Sequence, residues 1–144
     1  MKLDEKGYKA LHDREGLRLK PYLDTRGIPT IAMGNTFYEN GKKVTMLDKP
    51  ITKIEAERLG KVIADRFASE VTALIKSKVN QNQFNALVSI AYNIGINGFK
   101  ASSFLKLINE NPNDPKIKEA IMLWTKNPEL IGRRKAEANQ YFTK

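Results

Sequence analysis

The sequence predicts an α+β fold: a small N-terminal antiparallel β lobe joined by a long helix to a larger all-helical lobe. Three observations carry this. Between about residues 16 and 49 helical periodicity fails, and Pro21, Gly27, Pro29, Gly34 and Asn40-Gly41 punctuate β-branched and aromatic residues. After Pro50 it returns as one stripe of Leu59, Val62, Ile63, Phe67, Val71, Leu74 and Ile75. From there onward, shorter helical periods are separated by Gly, Asn and Pro. A chain of 144 residues, 41% hydrophobic and 28% charged, is sized for a single domain, 1–144. Within it the expected parts are a β lobe at about 14–50, a connecting helix at about 52–78, and a helical lobe at about 80–144 that includes the N-terminal helix.

Taken in order, the first helix is expected at about 3–12, with Leu3, Tyr8 and Leu11 on one side. In the β region, Asn40-Gly41 between Phe37-Tyr38 and Val44 signals a hairpin, because both residues tolerate the positive φ of a tight type I′ turn. Thr52 and Glu55 have the spacing of a capping box and start the long helix. At about 25 residues and 1.5 Å per residue that helix would span roughly 40 Å. Asn82 is expected to cap the next helix, with Phe84, Leu87, Val88, Ala91 and Tyr92 buried and Gly95 as its stop. Gly98-Phe99 reads as a turn and 102–109 as a helix. Asn113-Asp114-Pro115 reads as a helix start with Pro in the first helical position, followed by Ile117, Ala120, Ile121 and Trp124 on the inner face. Pro128 ends that helix or opens the last one, which carries Leu130, Arg133, Arg134 and Tyr141.

Composition excludes several chemistries. With no cysteine there is no disulfide scaffold, thiolate nucleophile or thiolate zinc site. The single histidine, His12, lacks a supporting triad or metal-ligand motif and reads as an ordinary surface or boundary residue. No apolar run approaches the roughly 18–20 residues of a spanning helix, and residues 1–15 mix acidic and basic side chains where a secretory signal would need an apolar block. Stable membrane insertion is therefore not expected. Lys and Arg number 25 against 16 Asp and Glu, a net charge of +9. That balance attracts a polyanion, with nucleic acid, an anionic membrane and the acidic bacterial wall as candidates.

The candidate catalytic constellation is Glu15, Asp24 and Thr30, at the join between the first helix and the expected sheet. A Glu and an Asp nine positions apart mean little alone, but here Glu15-Gly16 ends a helix, Tyr22-Leu23-Asp24 is strand-like, and the chain turns back through Gly27-Ile28-Pro29-Thr30-Ile31. The stretch from Glu15-Gly16-Leu17-Arg18-Leu19-Lys20-Pro21-Tyr22-Leu23-Asp24 through Thr30, with its E-x8-D-x5-T spacing, resembles the phage-type lysozymes, the glycoside-hydrolase group containing the endolysins of tailed phages. The resemblance continues through Asn82-Gln83-Phe84-Asn85, Tyr92-Asn93-Ile94-Gly95, Gly98-Phe99 and Ser102 into Arg133-Arg134-Lys135-Ala136-Glu137, covering nearly the whole chain.

The resemblance implies a lysozyme-like fold. It also implies hydrolysis of the β-1,4 bond between N-acetylmuramic acid and N-acetylglucosamine in peptidoglycan. Glu15 would be the general acid, and Asp24 would orient or deprotonate a water that Thr30 holds. Acetal cleavage through an oxocarbenium-like transition state needs one protonated carboxyl and one ionised one. A carboxyl separation of roughly 6.5–9.5 Å would admit a water and invert the anomeric centre. Tyr92, Asn93, Phe99 and Ser102 resemble the helical wall of the sugar cleft, although Tyr92 and Phe99 also fit a helix core. One of Arg133 and Arg134 resembles the arginine that approaches the catalytic Glu, with a surface basic pair as the alternative. Where the family often reads T-I-G-Y-G-H-T, this chain has Thr30-Ile31-Ala32-Met33-Gly34-Asn35-Thr36, so Met33 would present a flexible apolar surface at the cleft rim.

The carboxylate mechanism requires no cofactor and no metal. The expected partner is bacterial peptidoglycan, met by a monomer; nucleic acid is not an expected partner. Expected localisation is the host cytoplasm before lysis and the periplasm or cell wall afterwards, with a holin providing access. The rival readings are a non-catalytic wall-binding or structural protein on the same scaffold, a lytic transglycosylase, and a basic nucleic-acid-binding helical domain.

Overall fold

The computed structural model describes all residues 1–144 and divides into two compact units, Lys9–Asp65 and a second made of Met1–Tyr8 with Arg66–Lys144. The elements are α1 (Glu5–Glu15), β1 (Arg18–Leu23), β2 (Pro29–Ala32), α2 (Lys53–Leu74), α3 (Gln81–Ile94), α4 (Ile96–Ala101), α5 (Ser103–Glu110), α6 (Lys116–Met122) and α7 (Leu130–Tyr141). The fold class is the expected α+β one, mostly helical with one two-stranded antiparallel sheet. The boundary between the units falls inside α1 and inside α2. The N-terminal helix is thus shared between the units.

In the unit Lys9–Asp65, β1 and β2 pair with Arg18 opposite Ala32, Tyr22 opposite Thr30 and Leu23 opposite Pro29. Four steps on β1 match two on β2, so β1 is bulged between Arg18 and Tyr22. The bulge accommodates Pro21, which has no N–H to give a regular ladder. The expected Asn40-Gly41 hairpin is reduced to a single bridge, Phe37 to Lys43. Here Gly41 N donates to Tyr38 O (3.0 Å), Tyr38 N donates to Lys42 O (2.9 Å), and only Gly41 of the pair has positive φ, at 83°. This is the three-residue loop of a type I turn followed by a left-handed residue, not the two-residue type I′ turn. Asp48 secures the loop, accepting from Thr45 N (2.8 Å), Thr45 Oγ1 (2.7 Å) and the Tyr38 hydroxyl (2.8 Å). The core is Ile31, Ala32, Val44, Ala56 and Leu59, with Leu17, Tyr38 and Ile51 against it.

Asn35 and Ala32, two of the departures noted in the sequence, lie at this core. The Asn35 amide donates to Leu59 O (2.9 Å) and accepts from Met33 N (3.3 Å). Ala32 is the one non-glycine residue at positive φ, 57°. Met33 is only 3% exposed, which corrects the expectation that it offers an apolar surface at a rim.

In the other unit every residue of α3 from Gln83 to Ala91 is buried. Its cap is Asn80, which accepts from Gln83 N while Gln83 Oε1 accepts from Asn80 N, a complete capping box two residues before the expected cap Asn82. The Asn82 amide instead donates to Thr143 O (3.1 Å). Gly95 stops α3 as expected. Gly98-Phe99, expected as a turn, lies within α4. Gly98 serves close approach there, since a Cβ would come within 3.2 Å of the Trp124 ring. Ser102 caps α5 by accepting from Leu105 N (3.2 Å). Helix α6 starts at Lys116, one residue later than expected, with Asp114 Oδ1 accepting from its N–H (2.9 Å).

Helix α2 ends at Leu74, short of the expected 78. The Asn109 amide binds both Leu74 O (3.1 Å) and Lys76 N (2.8 Å), and Ser77 Oγ donates to Ile108 O (2.8 Å), so these groups are engaged by the end of α5. No helix is long and apolar enough to cross a membrane.

Candidate functional site

Glu15, Asp24 and Thr30 all belong to the unit Lys9–Asp65. Glu15 is the last residue of α1 and is half-buried. Asp24 follows β1 in a tight turn in which Asp24 N donates to Ile28 O (3.0 Å) and Gly27 N to Asp24 O (2.9 Å). Its side-chain Oδ1 accepts from Arg26 N (2.8 Å) and Ile28 N (2.9 Å), and the exposed Arg26 guanidinium lies 3.6 Å from Oδ2. The Ile28 N–H beside the carboxylate does most to hold Asp24 below its ordinary value; partial burial opposes it, and the N–H and guanidinium of Arg26 add to it. Asp24 is therefore an ionised acceptor near neutrality.

Thr30 is buried, and its hydroxyl donates to Ile28 O (2.8 Å). Both peptide groups of Ile28 are thus used: its N–H on Asp24 and its C=O by Thr30. This local pairing explains why the two residues keep a fixed spacing around the turn. With its proton committed, the Thr30 oxygen has only acceptor capacity left.

The remaining sequence-predicted residues lie in the other unit, except the buried Met33. Asn93, Ser102 and Arg134 line a cavity of about 600 Å³, together with Leu123, Trp124 and Leu130. Arg134 is fully buried and donates to Glu137, to Asn93 Oδ1 and to Trp124 O (3.0 Å). Because the Asn93 oxygen is engaged by Arg134, the amide's NH₂ end is the one left for a ligand, a donor suited to a carbonyl oxygen. Ser102 is occupied as a helix cap, its hydroxyl also donating to Phe99 O (2.7 Å). Phe99 is 0% exposed, edge-on to Phe104 at 5.5 Å between ring centroids. It is a core residue with no face for a sugar, which settles the two uses the sequence allowed it. Tyr92 is half-buried and edge-on to Phe67 at 5.3 Å.

The arginine pair is not a surface feature. Arg133 donates through Nε to Glu137 Oε2 (3.2 Å) and through its terminal nitrogen to Ser89 O (3.0 Å). Glu137 also accepts from Ser89 Oγ (2.6 Å). Glu137 closes the sequence stretch Arg133-Arg134-Lys135-Ala136-Glu137, and its role becomes clear only from this burial. The signal available was its i+4 and i+3 spacing from Arg133 and Arg134 on one helix.

A helix ending in Glu15, a turn built on Asp24 and Thr30, and a mostly helical remainder define a lysozyme-like protein. The family model for phage lysozyme matches residues 12–137, and the chain belongs to that family. The endolysin of Salmonella phage P22 is 35% identical over 141 residues, 95% of each chain. Among solved structures, a point mutant of P22 lysozyme superposes with a TM-score of 0.89 at 32% identity, covering 99% of both chains. The endolysin from Escherichia coli O157:H7 phage FAHEc1 superposes at 0.86 with 37% identity, covering 99% of this chain and 94% of that one. The chain spans 42% of the length of the Bacillus phage PZA endolysin, to which it is 34% identical over 110 residues. Family membership makes lysis of peptidoglycan the activity for which the site must account.

Proposed function

We propose that the protein is an N-acetylmuramidase that hydrolyses the β-1,4 bond between N-acetylmuramic acid and N-acetylglucosamine. The observation that supports this reading is the Ile28 clamp: the Ile28 N–H binds the ionised Asp24 carboxylate, and the Ile28 carbonyl takes the Thr30 proton, leaving that oxygen able only to accept. A water between them gives a proton to each, and its oxygen is directed by both. In the reaction that water attacks the anomeric carbon of the muramic acid residue and Asp24 takes its proton. Glu15 protonates the departing O4 of the glucosamine residue as the C1–O4 bond breaks. Attack by water from the face opposite the leaving group inverts the anomeric centre.

Asn93 is suited to an acetamido or peptide carbonyl in the cavity it lines, with Arg134 orienting it. The chemistry needs neither metal nor cofactor. The net charge of +9 concentrates a monomeric enzyme on the polyanionic wall, which it reaches from the host cytoplasm with a holin's help.

The test is digestion of purified peptidoglycan by the wild type, Glu15→Gln and Asp24→Asn. The wild type is expected to release muropeptides ending in reducing N-acetylmuramic acid. Each variant should lose on the order of 10²–10⁴-fold in rate, as removal of a general acid or base does, while remaining folded. Anhydro ends would show a transglycosylase, and near-normal activity of Glu15→Gln would remove it as the acid.

A further inference from the structure

We propose that Tyr22 is a third ligand of the attacking water, its phenol O–H donating to the water oxygen while Asp24 and Thr30 accept the water's two protons. The proposal rests on the muramidase reading above. Its geometry comes from the sheet. Tyr22 stands directly opposite Thr30 in the ladder, and directly opposed residues project from the same face. Asp24 follows two residues later, just past the end of β1, and its charge is among those felt at the Tyr22 hydroxyl. The Arg18 guanidinium packs over the Tyr22 ring, 4.8 Å from its centroid.

The phenol itself is uncommitted. Half-buried tyrosines usually find a hydrogen-bond partner, as Tyr38 does on Asp48 and the buried Tyr141 does on Pro112 O. No hydrogen bond is among the influences on the Tyr22 hydroxyl. Burial does most to hold its proton on, the charge of Arg18 opposes this, and the charges of Asp24 and Glu15 reinforce it. Tyr22 therefore senses both carboxylates of the proposed mechanism and stays a neutral donor across the range in which the enzyme would work.

The count of hydrogen bonds gives the donor its use. A water has two protons and two lone pairs. Asp24 and Thr30 are both restricted to accepting, Asp24 because it is ionised and Thr30 because its own proton is on Ile28 O. They take both protons and leave the water free to swing about the line joining them. A donor on one lone pair stops that rotation and leaves the other lone pair for the anomeric carbon. In the step the O–C1 bond forms, C1–O4 breaks, Asp24 receives the water proton, and Tyr22 keeps its own. Losing the donor misdirects the nucleophile without removing base or acid, a loss on the order of 10- to 100-fold in kcat.

The experiment compares steady-state hydrolysis of a soluble peptidoglycan oligomer by the full-length wild type, Glu15→Gln and Tyr22→Phe, with thermal midpoints for all three. Tyr22→Phe keeps the ring and its contact with Arg18. The expected result is a 10- to 100-fold lower kcat, an unchanged KM, an unchanged midpoint and a pH profile of the same shape. Wild-type kcat, a change in KM alone, or a loss that tracks a lowered midpoint would overturn the proposal while leaving the muramidase reading standing, provided Glu15→Gln is inactive. An inactive wild type, or an active Glu15→Gln, would overturn that reading and this proposal with it.

Discussion

Replacing Glu137 by Ala should be the most destabilising single change in the arginine cluster, more so than removing Arg134 itself. Glu137 is 0% exposed and is shared by two guanidinium groups, one on a side chain 0% exposed and one on a side chain 11% exposed. Taking away the carboxylate removes the buried anion that the two guanidinium groups share, and with it the hydrogen bond from Ser89 Oγ. Breaking a buried ion pair by removing one partner costs about 3–5 kcal/mol. Arg134→Met is less severe. Glu137 keeps Arg133 and Ser89, while the groups that lose a donor are Asn93 Oδ1 and the Trp124 carbonyl. Those two acceptors adjoin a cavity that water can enter, so their loss is about 1 kcal/mol each, giving roughly 2 kcal/mol against 3–5. A protein of this size loses about 2–4 °C of midpoint per kcal/mol, so Glu137→Ala should melt about 6–20 °C lower and Arg134→Met about 4–8 °C lower. Urea unfolding at neutral pH measures both, and the gap should persist at high salt because buried charges are little screened. Arg134→Met proving costlier than Glu137→Ala, or the gap closing in high salt, would refute the argument that Glu137 is the shared anion of a buried cluster.

Three further outcomes follow from local geometry. His12 packs beside Gly60, Met33 and Leu17, and burial holds its imidazole below the usual value; Glu57 and Asp13 pull it upward while Lys61 adds to the lowering. The unfolded chain therefore takes up this proton first, so stability is full above about pH 6.5 and falls as the pH drops toward the folded value. His12→Gln should flatten that fall in a urea series, and an unchanged slope would refute it. At Ala32, held at φ 57°, Gly relieves about 1–2 kcal/mol of left-handed strain but loses about 0.8 kcal/mol of methyl burial and about 0.4–1 kcal/mol through the unfolded chain. Ala32→Gly should thus fall within about 1 kcal/mol of the wild type, whereas Ala32→Val should cost more than about 2 kcal/mol; thermal melts of the pair decide it. Burial, followed by the hydrogen bond to Asp48, pushes the Tyr38 phenol up to about 12. Asp48→Ala should bring its ultraviolet titration down toward, but not to, the free-tyrosine value of about 10, at a cost of about 1–2 kcal/mol.

What the sequence reveals and what it hides follow from how far each determinant reaches along the chain. The long helix, the Gly95 stop and the turn between Asp24 and Thr30 are encoded within a few residues, and periodicity and spacing expose them. The Asn80 cap was missed because two asparagines compete locally, and the C-terminal segment decides between them by engaging Asn82 at Thr143. The end of α2 is set by Asn109, 35 residues from Leu74. Arg133 and Arg134 look like surface charges from their own helix, because their burial depends on Ser89, Asn93 and Trp124. Tyr22 was in plain view but silent, since only the register with Thr30 shows what it faces.

Asn35 joins these two kinds of information. The sequence shows a departure from the histidine common in the resembling family, and the structure shows an amide that donates to Leu59 O while accepting from Met33 N. A neutral imidazole could supply one donor and one acceptor there, but on protonation both ring nitrogens become donors and the Met33 N–H loses its acceptor. An asparagine has the same pair of functions at every pH. The substitution thus keeps the anchor of the turn after Thr30 insensitive to acid. It leaves His12, the chain's one histidine, whose imidazole burial holds below the ordinary histidine value, as the group in this unit whose protonation is felt by the fold as the pH drops.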